Sequence, residues 1–440
     1  MDETPTSIKS AYFDKDLFQK QVALIKEAAT KAEDVINYEQ AHNPEILRAI
    51  DVVEDFLRRK HRLCYGGQAI NAHLPTRYKI YDPELSIPDY DFFTPDQEAD
   101  IVLLTNMLRK AGFDEISARE GVHEGTIKMY VNYTAVADIT RIDPKLYRLL
   151  SKREFKSNGI SYLDADTLRM MMYLELSRPM GMVSRWEKVF ERLMLLNEFV
   201  PIGKCHSKRE KNGLTKDESE LIMRKIIAQQ RIFAGGDLLG YYNAAVHKGK
   251  RPPAVWLIGP RQPIFFYSPN AAEDAADLSE IGLDFKKIDG VGDVMPKTYV
   301  AMRHGQPVVV IVEETACHAY YNIPLRFNEN IRVASLDTLI TLYFSLSLLE
   351  SRINRFGGLH CVAQELVEIS YRARAKPEQF PFPFVSLKCS GHQKTLSSLI
   401  REKVKRVKTV KQRIQEALVE NKRKNMTIKN IRPKREPKRL

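Results

Sequence analysis

The sequence predicts an α+β fold, built as two related units one after the other. Three observations carry that reading. Helical periodicity alternates with short apolar strands closed by glycine or proline. Three stretches recur in the same order at nearly constant spacing. Finally, IPDYDFFTPD (87–96) sets two aspartates into an aromatic strand whose counterpart lacks them.

Residues 15–60 carry apolar stripes at helical spacing, first Leu17, Val22, Ile25 and Val35, then Ile46, Ile50, Val53 and Leu57. Residues 62–65 read as a strand, halted by Gly66 and Gly67 before the helical QAINAHL. A strand, two glycines and a helix can bring backbone N–H groups up to a phosphate. Residues 88–93 read as the next strand, 101–111 as a helix, and 127–132 and 134–140 as strands. Asp164 or Asp166 caps a strong helix that runs through LRMMMYLELS to a stop at Pro179. The apolar run LITLYFSLSLL (339–349) is too short to span a bilayer and reads as a buried helix.

CYGGQAINAHL (64–74) matches FAGGDLLGYYN (233–243) at an offset of 169. DFFTPDQEAD (91–100) matches FFYSPNAAED (265–274) at 174, and ADTLRMMMYLELS (165–177) matches LDTLITLYFSLSL (336–348) at 171. The matches point to a duplicated unit. On the offset set by TPD and SPN, Asp89 and Asp91 fall on Pro263 and Phe265. The aromatics are kept and the acids are lost. The fold therefore needs the phenylalanines, and only the first unit needs the aspartates.

A composition of 44% apolar and 28% charged residues is that of an ordinary soluble globular protein. The polar start MDETPTSIKS is no secretory signal. Five cysteines without a CxxC pair suggest reduced thiols in a cytosol-like compartment. The net charge of +12 sits in one place: residues 401–440 hold 16 Lys/Arg and 4 Asp/Glu, leaving the preceding 400 residues balanced. Leu396, Ile400, Val404, Val407, Ile414 and Leu418 recur there at helical spacing between basic residues. Residues 421–440 read as too charged and proline-broken to pack, and hence mobile. No aromatic follows residue 384, so this segment can neutralise phosphates but cannot stack bases.

In a strand, residues i and i+2 share a side, so Asp89 and Asp91 project together with Tyr90 opposite. Two carboxylates that close repel unless a cation lies between them, and Mg²⁺ suits oxygen ligands. A D-x-D motif alone is most often a solvated turn. Here a glycine pair lies upstream, and TAVADIT places Asp138 in an apolar strand where a lone acid is costly. A phosphate-cradling turn with three acids on adjacent strands is the constellation of two-metal nucleotidyl transfer.

The order GG, D-h-D-h and a third strand aspartate resembles the DNA polymerase β-like nucleotidyltransferase superfamily. YGGQAIN, PDYDFF, VADIT and LRMMMYLELSRP look like the poly(A) polymerase catalytic subunits of large cytoplasmic DNA viruses, of the giant-virus, African swine fever virus and poxvirus types. These motifs cover residues 64–200. The 22 positions from Gly67 to Asp89 exceed the spacing of most cellular members and suit the viral group.

The resemblance implies a mixed sheet with flanking helices, followed by a second, degenerate nucleotidyltransferase-like domain. The expected division is a helical segment 1–60, a catalytic domain 61–185, a degenerate domain 186–390 and a basic helix and tail 391–440. The implied activity is template-independent addition of AMP from ATP to the 3′ end of viral mRNA. Asp89 and Asp91 would ligate two Mg²⁺ or Mn²⁺ ions, and Asp138 the one that activates the primer 3′-hydroxyl. Gly66, Gly67 and Gln68 would hold the triphosphate. Asn71 would touch sugar or phosphate, or pack its helix. Implied partners are ATP, a single-stranded RNA 3′ end and a second copy of the chain, with no membrane and no DNA. The implied location is the host cytoplasm, in the viral factory, and the virion.

On chemistry alone, Lys152, Arg153 and Lys156 either reach phosphates or form a solvated basic loop. Arg169, amid core methionines, reads as a paired arginine available to a nucleotide. His360-Cys361 with Cys389-x-x-His392 has zinc-like spacing but lacks a second CxxC or HxxxH. The rival readings are a CCA-, uridylyl- or oligoadenylate-adding transferase, and a non-catalytic RNA-binding subunit.

Overall fold

The computed structural model describes residues 15–431 apart from 204, 206–212, 262, 292–293, 327 and 349–357, and excludes the side chains of 414 and 417–431. Two helices lead in, α1 (Lys15–Ala41) and α2 (Pro44–Lys60). Asn43 starts α2, its Oδ1 accepting from the backbone of Glu45 and Ile46, with Pro44 in the first turn. The predicted stripe of α2 is buried: Ile46, Ile50, Val53 and Leu57 all lie in the core. That of α1 is not, since Leu17, Ile25 and Val35 are exposed.

The first sheet is formed by β1 (Leu63–Tyr65), β2 (Tyr90–Thr94), β3 (Ile116–Glu120), β4 (Thr126–Val131), β5 (Thr134–Arg141), β6 (Phe155–Ser157) and β7 (Ile160–Tyr162). Their order is β3-β4-β5-β2-β1-β7-β6. Between them run α3 (Gly66–His73), α4 (Gln97–Lys110) and α5 (Pro144–Ser151). The unit is followed by α6 (Ala165–Leu176) and α7 (Trp186–Phe199). Of the two candidate caps for α6 it is Asp164 that accepts from the backbone of Asp166 and Thr167.

Downstream, α8 (Lys216–Ala228) precedes a second sheet. Its strands are β8 (Ile232–Phe233), β9 (Ile264–Ser268), β10 (Phe285–Ile288), β11 (Thr298–Arg303), β12 (Gln306–Glu313), β13 (His318–Pro324), β14 (Asn330–Ala334) and β15 (Cys389–Ser390). Helices α9 (Asp237–Lys248), α10 (Val255–Ile258), α11 (Ala271–Ser279), α12 (Leu336–Leu348) and α13 (Leu359–Ala375) accompany it.

The second order, β10-β11-β12-β9-β8-β14-β13, repeats the first strand for strand, with β15 added at the edge. The senses repeat too: antiparallel, antiparallel, parallel, antiparallel, parallel, antiparallel. Even an irregularity recurs, as the register shift at Met129/Tyr130 has its twin at Ala301/Met302. A duplicated unit accounts for all of this. The two halves meet where α6 packs on its twin α12. Every residue of α12 is buried, as its uninterrupted apolar sequence requires.

One buried ion pair recurs in both units. Arg62 donates through Nε and Nη2 to Asp100 at 2.7 and 2.9 Å, and Arg231 does the same to Asp274 at 2.9 and 3.2 Å. Each ties the first residue before a central strand to the helix that follows the next strand. Removing either arginine would leave a buried carboxylate without its cation, a loss of about 3–5 kcal/mol.

The last helix, α14 (Leu396–Ile431), runs through residues expected to stay unpacked. Its first proline comes only at Pro433, and Lys, Arg and Glu are good helix formers, so charge alone does not end it. Residues 432–440 lie outside the described residues. The cysteines also depart from expectation. Cys205 bonds Cys361 and Cys317 bonds Cys389, each pair with its Cα atoms 5.3 Å apart, and only the buried Cys64 is free. Partners 156 and 72 residues apart leave no trace in local spacing. The zinc-like pair thus has both sulfurs already committed, to different partners.

Candidate active site

The parallel pairing of β2 and β5 sets Asp91 directly beside Asp138. Neighbouring strands lie about 4.8 Å apart, so the two carboxylates leave the sheet side by side. Along β2, Tyr90, Phe92 and Thr94 are buried on one face, while Asp91 and Phe93 point to the other. The Tyr90 hydroxyl donates to Glu54 Oε1 at 2.7 Å, anchoring the buried face to α2. Asp89 precedes the strand and stands exposed at the rim of the cavity that all three acids line.

That cavity holds about 590 Å³. Gly66 enters it with φ +71°, and a Cβ there would lie 2.3 Å from Asp91 Oδ2. Gly67 leaves room for the insert between the glycines and the acids, since its Cβ would meet the Tyr81 hydroxyl at 1.9 Å. The first turn of α3 therefore faces the carboxylates with its unpaired N–H groups, and Tyr81 closes over it.

Much of the remaining lining is cationic, with Glu175 paired to Arg185 at 3.4 Å. Arg185, Lys188 and Arg192 follow one another at i, i+3 and i+7 and line the cavity together with Arg178 and Lys394. Arg192 Nη2 donates to the Tyr81 hydroxyl at 2.8 Å. The charge of Arg192, then burial and Arg185, push the Lys188 ammonium below its ordinary pKa. Like charges so placed on a helix repel, and a polyanion would relieve them. The spacing of these residues on one helical face was the available signal in the sequence. These residues lie in the chain after the last of the acid motifs.

The acids are equally crowded. Loss of hydration in the cleft, then Asp89 and Asp138, raises Asp91 from the ordinary carboxylate range to about 7. Although Asp89 is exposed as a whole residue, partial loss of hydration of its carboxyl in the cleft mouth, then Asp138, raises it. Lys128 on β4, the register partner of Asp138, donates to Asp138 Oδ2. Asp138 Oδ1 is buried without a hydrogen-bond partner. Among the described residues no group of three His, Cys, Asp or Glu is already gathered tightly enough to close round an ion. The donor set nonetheless fits a hard divalent cation: carboxylate oxygens only, mutually repelling, with one buried oxygen unpaired.

The remaining expected residues lie elsewhere. Gln68 is half-buried on α3 and does not line the cavity. Asn71 is buried, its Oδ1 accepting from the Ile80 backbone at 2.9 Å, which pins the insert to α3. Lys156 sits on the edge strand β6, paired with Glu154 at 3.0 Å and away from the cavity. Lys152 is exposed and Arg153 lies 3.4 Å from His360 Nδ1.

Arg169 corrects its expectation. It is 1% exposed and donates to Asp166, Asn197 and the carbonyls of Leu196 and Val200, so no donor faces a nucleotide. Its role is to bind α6 to α7. A paired arginine was legible in the sequence; the identity of its partners was not.

In the second unit, register replaces Asp91 and Asp138 by the paired Phe265 and Val310. No acid remains at either position.

Residues 51–182 match the family model described as poly(A) polymerase catalytic subunit. A mimivirus protein (Acanthamoeba polyphaga mimivirus) assigned as such a subunit is 31% identical over 192 residues, 42% of this chain and 31% of that protein. An African swine fever virus counterpart is 26% identical over 169 residues, 37% of this chain and 35% of its own. The chain thus matches about a third of the length of these curated relatives. The Megavirus polyadenylate synthase crystal structure superposes with a TM-score of 0.70 at 18% identity, over 99% of this chain and 93% of the other. Residues 51–182 thus resemble the poly(A) polymerase catalytic subunit family, and along nearly its whole length the chain shares the fold of the Megavirus polyadenylate synthase.

Proposed function

We propose that the protein is a template-independent poly(A) polymerase that transfers AMP from ATP to the 3′ end of viral mRNA. The observation that carries this reading is the pairing of Asp91 with Asp138 on adjacent strands, in one cavity lined also by arginine and lysine. Asp89 and Asp91 would hold two Mg²⁺ or Mn²⁺ ions and Asp138 one of them. When bound, such ions neutralise the triphosphate and lower the pKa of the attacking hydroxyl. The chain supplies the rest. The first turn of α3 and Lys188, Arg192 and Arg185 hold the phosphates and the departing pyrophosphate. Tyr81 orients Arg192 for that contact.

The RNA would lie along the cavity under α14. Gln393 and Lys394 line the cavity just before α14, and Arg406 on it donates to Glu120 of β3. The helix offers many cations and no aromatic ring, which suits phosphate contacts without base reading. The division expected from the sequence belongs to the same proposal, with the second unit as a degenerate partner of the first. Among the described residues no helix is long and apolar enough to cross a membrane. We also propose a homodimer acting in the host cytoplasm, at the viral factory, and carried in the virion. The exposed apolar side chains of α1 support the dimer.

Incubating the full chain and an RNA primer with each nucleoside triphosphate in turn tests the activity. ATP is expected to extend the primer. Extension by CTP or UTP in preference would favour another terminal nucleotidyltransferase, and no extension by any of them a non-catalytic subunit.

A further inference from the structure

The duplication sorts two ion pairs of the first unit. Arg62–Asp100 recurs as Arg231–Asp274, so both units need it to fold. Lys128–Asp138 does not recur. The register that pairs Lys128 with Asp138 across β4 and β5 pairs Val300 with Val310 across β11 and β12. A sheet of the same order and bulge forms with two valines there. Lys128 is therefore dispensable to the fold and disappears together with the three acids. It belongs to whatever the acids do.

Its geometry is that of a temporary occupant. The ammonium sits on one oxygen of Asp138 and leaves the other, buried, without a partner. The Lys128 side chain is 36% exposed against 11% for Asp138, so the cation can swing into solvent while the carboxylate cannot. Lysine is suited to this as a point charge on a flexible stem, where arginine would grip the carboxylate in a two-point fork. Its charge also reaches Asp89 and Asp91.

We propose that Lys128 is a positioning residue that stands in for a divalent cation at Asp138. It keeps the carboxylates gathered before the ion arrives and must be displaced for that ion to bind. The ion that depends on Asp138 therefore binds more weakly than the one held by Asp89 and Asp91. This rests on the metal-dependent reading above and adds an order of binding to it.

The test is Mn²⁺ titration of the full chain, without nucleotide, followed by electron paramagnetic resonance of free Mn²⁺. Wild type is expected to show one tighter and one weaker site. Lys128→Met should tighten the weaker site by about tenfold, the strength of a charged hydrogen bond that no longer competes. Lys128→Arg should leave it weak or weaken it further. A merely structural pair predicts a lower melting temperature and no tightening. Identical Mn²⁺ binding by wild type and folded Lys128→Met overturns the proposal; Lys128→Gln takes its place should Lys128→Met not fold. Binding that is lost in Asp89→Asn/Asp91→Asn yet unchanged by the lysine variants overturns this inference alone. Binding that survives the loss of both acids overturns the metal reading as well.

Discussion

Gly66 and Asp91 share a space that admits no methyl group. The glycine has φ +71°, and its missing Cβ would stand 2.3 Å from Asp91 Oδ2. The turn that presents the α3 N-terminus and the carboxylate that faces it are thus fitted to each other by one absent side chain. Gly66→Ala should cost about 1–2 kcal/mol from the left-handed backbone alone, and the displaced Asp91 should lower primer extension at least about 100-fold. Near-wild-type single-nucleotide addition by a folded Gly66→Ala would contradict the arrangement.

Asp91→Asn should abolish extension while leaving RNA binding largely intact, as should Asp89→Ala with Asp91→Ala. Its effect on stability depends on pH. The carboxyl of Asp91 is raised from 3.8 to about 7 by folding, so the folded chain keeps a proton the unfolded chain has released between those values. Stability therefore falls as pH rises through that window, and the penalty is complete above about 7. Asp91→Asn should stabilise the metal-free protein by roughly 1–3 kcal/mol at pH 8 and hardly at all at pH 4. Denaturant melts at the two pH values check the sign.

Lys188→Ala and Arg192→Ala should each raise KM for ATP by about tenfold, the value of one charged hydrogen bond to phosphate. RNA affinity should move much less. Because Arg192 is held by Tyr81, Tyr81→Phe should show a smaller effect in the same direction. Steady-state kinetics with ATP varied at saturating primer separates the two substrates.

Arg169→Ala should unfold the junction of α6 and α7, at a cost of about 3–5 kcal/mol. ATP binding by the fraction that remains folded should be unchanged, since all the arginine's partners are internal. A weakened ATP affinity without lost stability would return Arg169 to the nucleotide site.

Deleting residues 421–440 removes basic residues and keeps every described residue that lines the cavity. RNA affinity should fall, and the plot of log affinity against log salt should flatten, since each lost phosphate contact takes about 0.7 from the slope for a single strand. An unchanged slope would exclude these residues from the RNA contact.

Much of this was legible in the chain. The alternation of aromatic and acidic residues around Asp91 fixed which face of β2 would be buried, because side chains alternate in a strand. The glycine pairs, the acids and their absence from the second copy were all readable from spacing. The edge strands β3 and β6 were harder, being only partly buried, and β7 was harder because its three buried residues show no alternation. The stripe on α1 misled in another way. Periodicity tells which residues share a helix face, not whether anything in the same chain covers it.

The sequence by itself determined the local chemistry: a turn able to meet phosphate, three acids in or beside strands, a basic last helix and a second unit without the acids. The tertiary structure alone decided which distant residues complete them. Lys128 meets Asp138 through the register of β4 on β5, Arg192 is tied to the α3 turn through Tyr81, and Arg169 finds its partners on α7. Strand and helix periods act over a few residues and can be read along the chain. Charge pairs and cavity walls depend on through-space distance, which only the packed fold sets.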